Sequence, residues 1–174
     1  MAQIAAELGP FVFDAVEDGV AVERREPTAL DNGAVYEGEW SVGENLRHGV
    51  GKLIFPDGAL FEGCWRDGKV NGNGRHIHSN GEYYIGGWKD DAVQGYGKLV
   101  HIDGASYEGM WEHDKQNGKG TEKWPDGAQF KGNFVDGLKT GKGKFNWADG
   151  SYYKGNFKNN CIEGFGKYFW ADGR

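Results

Sequence analysis

Cysteine, proline and long apolar runs are all scarce in this chain, and each shortage closes off a class of protein. Only Cys64 and Cys161 are present among 174 residues, too few for a small scaffold stapled by disulfides. Reduced thiols in the cytoplasm are the simple reading. Four prolines against 31 glycines exclude a proline-rich linker and assign glycine to turns and close backbone approach. No stretch of about 18 apolar residues occurs, so no transmembrane helix is expected. The start, Met1-Ala-Gln-Ile-Ala-Ala-Glu7, lacks a basic region followed by an apolar run, and Ala2 stands where N-myristoylation needs glycine. Positive charge is short as well. Lys+Arg number 20 against 26 Asp+Glu, a net charge of −6, which argues against a nucleic-acid partner. Gly-x-Ser-x-Gly, His-Glu-x-x-His and P-loop motifs are missing, and no enzyme activity is expected.

What the chain has is a repeat. Six segments share one pattern: Tyr36-Glu-Gly-Glu-Trp40, Phe61-Glu-Gly-Cys-Trp65, Tyr84-Ile-Gly-Gly-Trp88, Tyr107-Glu-Gly-Met-Trp111, Phe130-Lys-Gly-Asn-Phe134 and Tyr153-Lys-Gly-Asn-Phe157. Their first aromatics are spaced by 25, 23, 23, 23 and 23 residues. A fixed period of this size signals an array of one supersecondary unit. Counting the first aromatic as position 0, glycine always fills position 2, an aromatic position 4, and Gly, Asp or Asn position 7. A Gly-x-Gly pair follows, as in Gly118/Gly120 and Gly141/Gly143, and each unit closes on Asp-Gly or Asn-Gly.

This spacing predicts strand, turn, strand, turn, with strands near positions 0–5 and 12–17 and a turn beginning at position 7. Pro56 and Pro125 precede Asp-Gly. Proline suits the second place of a type I turn, and the glycine after it a left-handed bulge. The resulting three-residue loop sets position 15 opposite the next unit's position 0, 13 opposite 2, and 11 opposite 4. One face then gathers the aromatics and paired glycines, with room for each position-4 ring opposite a glycine. The other face gathers charges such as Glu37, Glu62, Glu108, Lys131 and Lys154. The expected architecture is all-β: an elongated, twisted, single-layer antiparallel sheet of stacked hairpins, about 12 strands, with an aromatic groove face. Cys64 and Cys161, about four units or roughly 38 Å apart in such a sheet, are out of disulfide reach.

The array covers residues 31–174, entered through a partial unit ending at Asp31-Asn32-Gly33. The chain stops where another Tyr-x-Gly-x-Trp would begin, as a piece of a longer array would. Residues 1–30 lack the pattern. Ala2–Leu8 has one or two helical turns' worth of helix formers before Gly9-Pro10, and Phe11-Val-Phe13 is apolar enough to dock. Capping of the first hairpin, or a path across the aromatic face, are the two arrangements expected if it does.

Tyr-x-Gly-x-Trp, Gly-x-Gly and Asp-Gly at this period resemble the MORN (membrane occupation and recognition nexus) repeat over about residues 34–173. Phe134 and Phe157 replace the usual Trp, and the first unit carries two extra residues in Gly43–Gly49. The resemblance implies stacked β-hairpins in an open sheet. It also implies a scaffold that binds other proteins in cytoskeletal, ciliary or membrane-contact assemblies. The alternative it implies is a phosphoinositide or membrane-recruitment element, or a regulatory module beside a kinase or SET-type catalytic domain.

A single-layer sheet has no second layer to bury its aromatic face, and exposed aromatic patches mark binding sites. Phe55, His78, His101, Trp124, Phe145, Trp147, Tyr168 and Trp170 fill positions 15 and 17 of their units. They are the expected partner-binding groove, for an extended or helical segment or a second copy. Lys52, Arg75, Lys98, Lys144 and Lys167 fill position 14, broken by Thr121, and form a candidate row for weak contact with anionic lipid, about 1 kcal/mol per charge. Cross-strand pairing with glutamates is the competing reading. His76, His78 and His101 lie on neighbouring units but about 9–10 Å apart between rows, too far to share zinc, so no metal or cofactor is expected.

Overall fold

The computed structural model describes residues 2–174. A seven-residue helix α1 (Ala2–Leu8) is followed only by strands. Two short ones, β1 (Val22–Arg24) and β2 (Thr28–Ala29), precede the repeats. Six hairpins then follow: β3 (Val35–Ser41) with β4 (Arg47–Ile54), β5 (Leu60–Arg66) with β6 (Lys69–Ile77), β7 (Tyr83–Lys89) with β8 (Ala92–Val100), β9 (Ser106–Glu112) with β10 (Lys115–Lys123), β11 (Gln129–Val135) with β12 (Leu138–Asn146), and β13 (Tyr152–Lys158) with β14 (Cys161–Phe169). All 14 belong to one antiparallel sheet, hydrogen-bonded in chain order, with β1 and β2 both on β3. Two compact units divide the chain, residues up to Val93 and Gln94–Arg174.

The register between hairpins is the one the prolines dictate. Phe145 lies opposite Tyr153, Gly143 opposite Gly155 and Gly141 opposite Phe157, and the same scheme recurs from β4–β5 onward. Its cause is the bulged loop: the Gly58 amide donates to the Phe55 carbonyl at 2.9 Å, and the Phe55 amide to the Ala59 carbonyl. The Asp57 side chain accepts from the Ala59 amide at 2.9 Å, so the loop aspartate is spent on its own backbone.

The loop inside each hairpin after the first is tighter than its sequence suggests. In Asp67-Gly68 both residues have positive φ, 49° and 82°, and Asp90-Asp91, Asp136-Gly137 and Asn159-Asn160 repeat this. That is a two-residue type I′ turn, whose twist matches the strands it joins. The second strand therefore starts at position 8 rather than 12, as β6 begins at Lys69. The extra length is taken up by a bulge: Gly63 pairs with Gly74, but Trp65 pairs with Val70. The first glycine of the Gly-x-Gly pair, Gly72, sits at the slip with φ 92°.

The second glycine serves a different end. A Cβ on Gly120 would stand 2.4 Å from the Tyr107 hydroxyl, and one on Gly143 2.7 Å from the Phe130 ring. Thus it is the position-0 ring, not the position-4 ring, that lies flat on the glycine pair of its own hairpin. The position-4 ring stands edge-on against it, as Tyr107 and Trp111 do at 5.0 Å, and against the preceding unit's ring, as Tyr107 and Phe134 do at 5.0 Å. This edge-to-face chain closes the core without a second layer. Tyr36, Tyr107, Phe130 and Phe134 are almost fully buried. Each buried ring contributes about 1.5–3 kcal/mol and each edge-to-face pair about 0.5–1.5 kcal/mol more.

Candidate functional site

With positions 0 and 4 consumed by the core, the aromatics left over on this face of the repeats are those at positions 15 and 17. Late in the chain they form one run. Ring centroids step from Trp124 to Phe145 at 5.3 Å, to Trp147 at 4.9 Å, to Tyr168 at 5.1 Å and to Trp170 at 4.6 Å. All are tilted rather than edge-on, and none is buried: Tyr168 is 40% exposed and Trp170 54%. Two things create the run. The register places position 15 of one unit near position 17 of the unit before it, and residues two apart along an extended chain share a face.

Earlier in the chain the same rows hold different chemistry. Phe55 meets His76 at 5.8 Å, and His76 meets His78 at 4.1 Å. Burial, reinforced by the neighbouring His78, pushes the His76 imidazole down to about 4, so it is neutral near pH 7. His101 is exposed on its loop, and position 15 of its unit is the aliphatic Leu99 of β8. Among the described residues, no three His, Cys, Asp or Glu side chains converge as a metal site would require.

One element of this face escaped sequence reasoning. Lys139 lies at position 9, where the bulge turns it toward the rings. Its Nζ sits 5.2 Å from the Trp124 ring centroid and 2.5 Å from the Glu122 carboxylate. Glu122 fills the position-15 place that Phe145 holds one unit later. Only the bulge, invisible in the spacing, brings this ion pair together.

The opposite face carries the basic row, and its register is decisive. From β3 to β6 the sequence of cross-strand partners is Glu37, Lys52, Glu62, Arg75. Lys98 likewise faces Glu108. From β11 to β14 it is Lys131, Lys144, Lys154, Lys167, each directly opposite the next. Arg75 is buried, its guanidinium 2.6 Å from Glu62. The five candidates therefore do not form one uniform strip.

A MORN-repeat model matches six consecutive stretches, residues 36–60, 61–83, 84–106, 107–129, 130–152 and 153–173. The chain belongs to the MORN repeat family. Among solved structures, the TCP domain of Drosophila melanogaster SAS-4 (dCPAP), in complex with a proline-rich motif of Ana2 (dSTIL), is similar at 14% identity and a TM-score of 0.46. That match covers 95% of this chain and 83% of the other, and at such values nothing about the present chain's partners follows from it.

The first MORN repeats also carry a strap. Residues 9–21 run over the charged face, not the aromatic one, and β1 and β2 cap the β3 edge. Arg75 donates to the Gly9 carbonyl at 2.8 Å and lies over the Phe11 ring. Asp14 meets Asn73, and its carbonyl accepts from the Cys64 thiol at 3.8 Å. Asp18 reaches the buried His48 ring at 2.7 Å, which holds its carboxyl below the usual range. The apolar residues of this segment were legible; the face was not, because the charges that receive it are only grouped by the register. No helix among the described residues is long and apolar enough to cross a membrane.

Proposed function

We propose that this MORN array is a non-catalytic scaffold that holds a protein partner on the ring ladder Trp124–Phe145–Trp147–Tyr168–Trp170, within a cytoskeletal, ciliary or other multiprotein assembly. One observation carries the reading: these five rings touch in unbroken succession yet none is buried, Tyr168 and Trp170 being the most exposed, while every position-0 ring beside them is buried. Aromatics that stack and remain open supply the large, stiff contacts that dominate binding hot spots. The loop aspartates, the obvious acid–base candidates, are engaged in capping main-chain amides.

Membrane recruitment through the basic row is the weaker reading. Arg75 is taken by Glu62 and the strap, and Lys52 and Lys98 face glutamates.

The test is the double variant W124A/W147A. A partner is isolated by affinity purification of the full-length protein and identified by cross-linking. Loss of the two rings is expected to weaken its capture at least about tenfold, since a hot-spot residue contributes about 2 kcal/mol or more. Unchanged capture by a folded double variant would refute the ladder as the binding surface.

A further inference from the structure

Lysine directly opposite lysine on neighbouring strands is destabilising. The polar face of β11–β14 nevertheless sets four in a row, Lys131, Lys144, Lys154 and Lys167. They surround a concavity of about 940 Å³, to which Lys142 adds a fifth charge. Its lining contains no acidic side chain. Phe165 stands in it 94% exposed. Residues 94–174 hold 12 Lys and Arg against 10 Asp and Glu, while the preceding 93 hold 8 against 16. The cationic patch is thus confined to the unit that has no strap.

The strapped repeats show what such a face is built to receive. By repeat position, Lys144 and Lys167 correspond to Arg75, and Lys131 and Lys154 to Glu62. At Arg75 the guanidinium is neutralised by Glu62 from the sheet, and an extended segment adds a carbonyl from Gly9 and a ring from Phe11. In the last two repeats the glutamate has become lysine, so the sheet offers cations on both positions and the carboxylates must come from the segment.

We propose that the polar face of β11–β14 binds an extended acidic segment of a partner protein, its carboxylates pairing with Lys131, Lys144, Lys154 and Lys167, on the same face that the strap covers in the earlier repeats. Lys144, which lines the concavity, is partly buried, its Nζ 4.0 Å from the Tyr152 ring centroid. This surface is on the face opposite the ring ladder, so its failure and that of the ladder are separable.

The probe is a fluorescein-labelled peptide with the sequence of residues 9–20, added to the full chain at low salt and followed by anisotropy. Saturable binding that falls steeply as salt rises is expected. Replacing Asp14, Glu17 and Asp18 of the peptide by their amides should weaken it at least about tenfold, as should K131E/K154E in the protein. That variant restores the Glu62 arrangement, so it should also melt at a higher temperature than wild type. K144Q/K167Q is a second variant that should lose binding without altered strand content. The proposal is overturned if wild type fails to bind the peptide, or if K131E/K154E binds it unchanged. It is also overturned if these lysines instead support flotation with phosphatidylserine vesicles or self-association in sedimentation while the peptide stays free.

Discussion

Tyr107 lies so close over Gly120 that a single added carbon would meet its hydroxyl oxygen at 2.4 Å. Gly120 is in extended backbone, so the demand is for space rather than for a left-handed turn. G120A is therefore expected to destabilise the array by about 2 kcal/mol or more, through overpacking against a ring that cannot retreat. Y107F should cost only about 0.5–1.5 kcal/mol. It removes the 2.8 Å hydrogen bond to the Met110 carbonyl but keeps the ring, as Phe130 does one unit later. Urea titrations of the two variants give the comparison; equal costs would contradict the close-approach account.

The indole N–H groups separate two tryptophans that the sequence treats alike. Trp111 donates to the Gly97 carbonyl at 3.2 Å, whereas the Trp88 indole nitrogen is buried without an acceptor. W111F should lose about 1–2 kcal/mol more than W88F in chemical denaturation. Phe134 and Phe157 occupy the same repeat position, so both variants keep the fold.

His76 sets an acid limb. Its folded value is about 4 against an ordinary 6.5, so folding favours the neutral ring. The contribution is fully present above about pH 6.5 and is lost as pH falls from there toward 4. H76L, which copies Leu53 and Leu99 at this position, should flatten that limb. The measurement is the urea midpoint of both proteins between pH 7 and 4.5, and parallel curves would contradict it.

The strap can be followed through a thiol. Cys64 is buried beneath it, and burial together with the nearby Asp14 charge pushes its thiol upward, whereas Cys161 is exposed. An aromatic disulfide reagent should titrate one cysteine fast and one slowly. R75A removes the donor to Gly9 and the cation beneath Phe11, so Cys64 should become as reactive as Cys161. If Cys64 stays protected in a folded R75A protein, Arg75 does not hold the strap.

Most of the sheet was legible because few rules generate it. Pro56 before Asp57-Gly58 fixed the bulged loop, the loop fixed the register, and the register fixed which rings share a face. The hidden parts depend on φ values that glycine and aspartate leave open. The bulge at Gly141 turns Lys139 toward Trp124, and no spacing announces it. The role of the glycine pair was half visible: glycines do oppose the rings, but the ring they admit is Tyr107 rather than Trp111. The strap of residues 9–21 has no periodicity, so its path over Arg75 and His48 emerges only once the register has grouped those side chains.

The central claim, that the late ring ladder is where a protein partner sits, is tested most directly by site-specific photo-cross-linking. Benzoylphenylalanine replaces Tyr168 in one protein and Val42, an exposed residue of the β3–β4 loop, in another. Position 168 is predicted to trap the partner and position 42 to remain unlinked. A bound partner that links equally at both, or never at 168, would contradict the account.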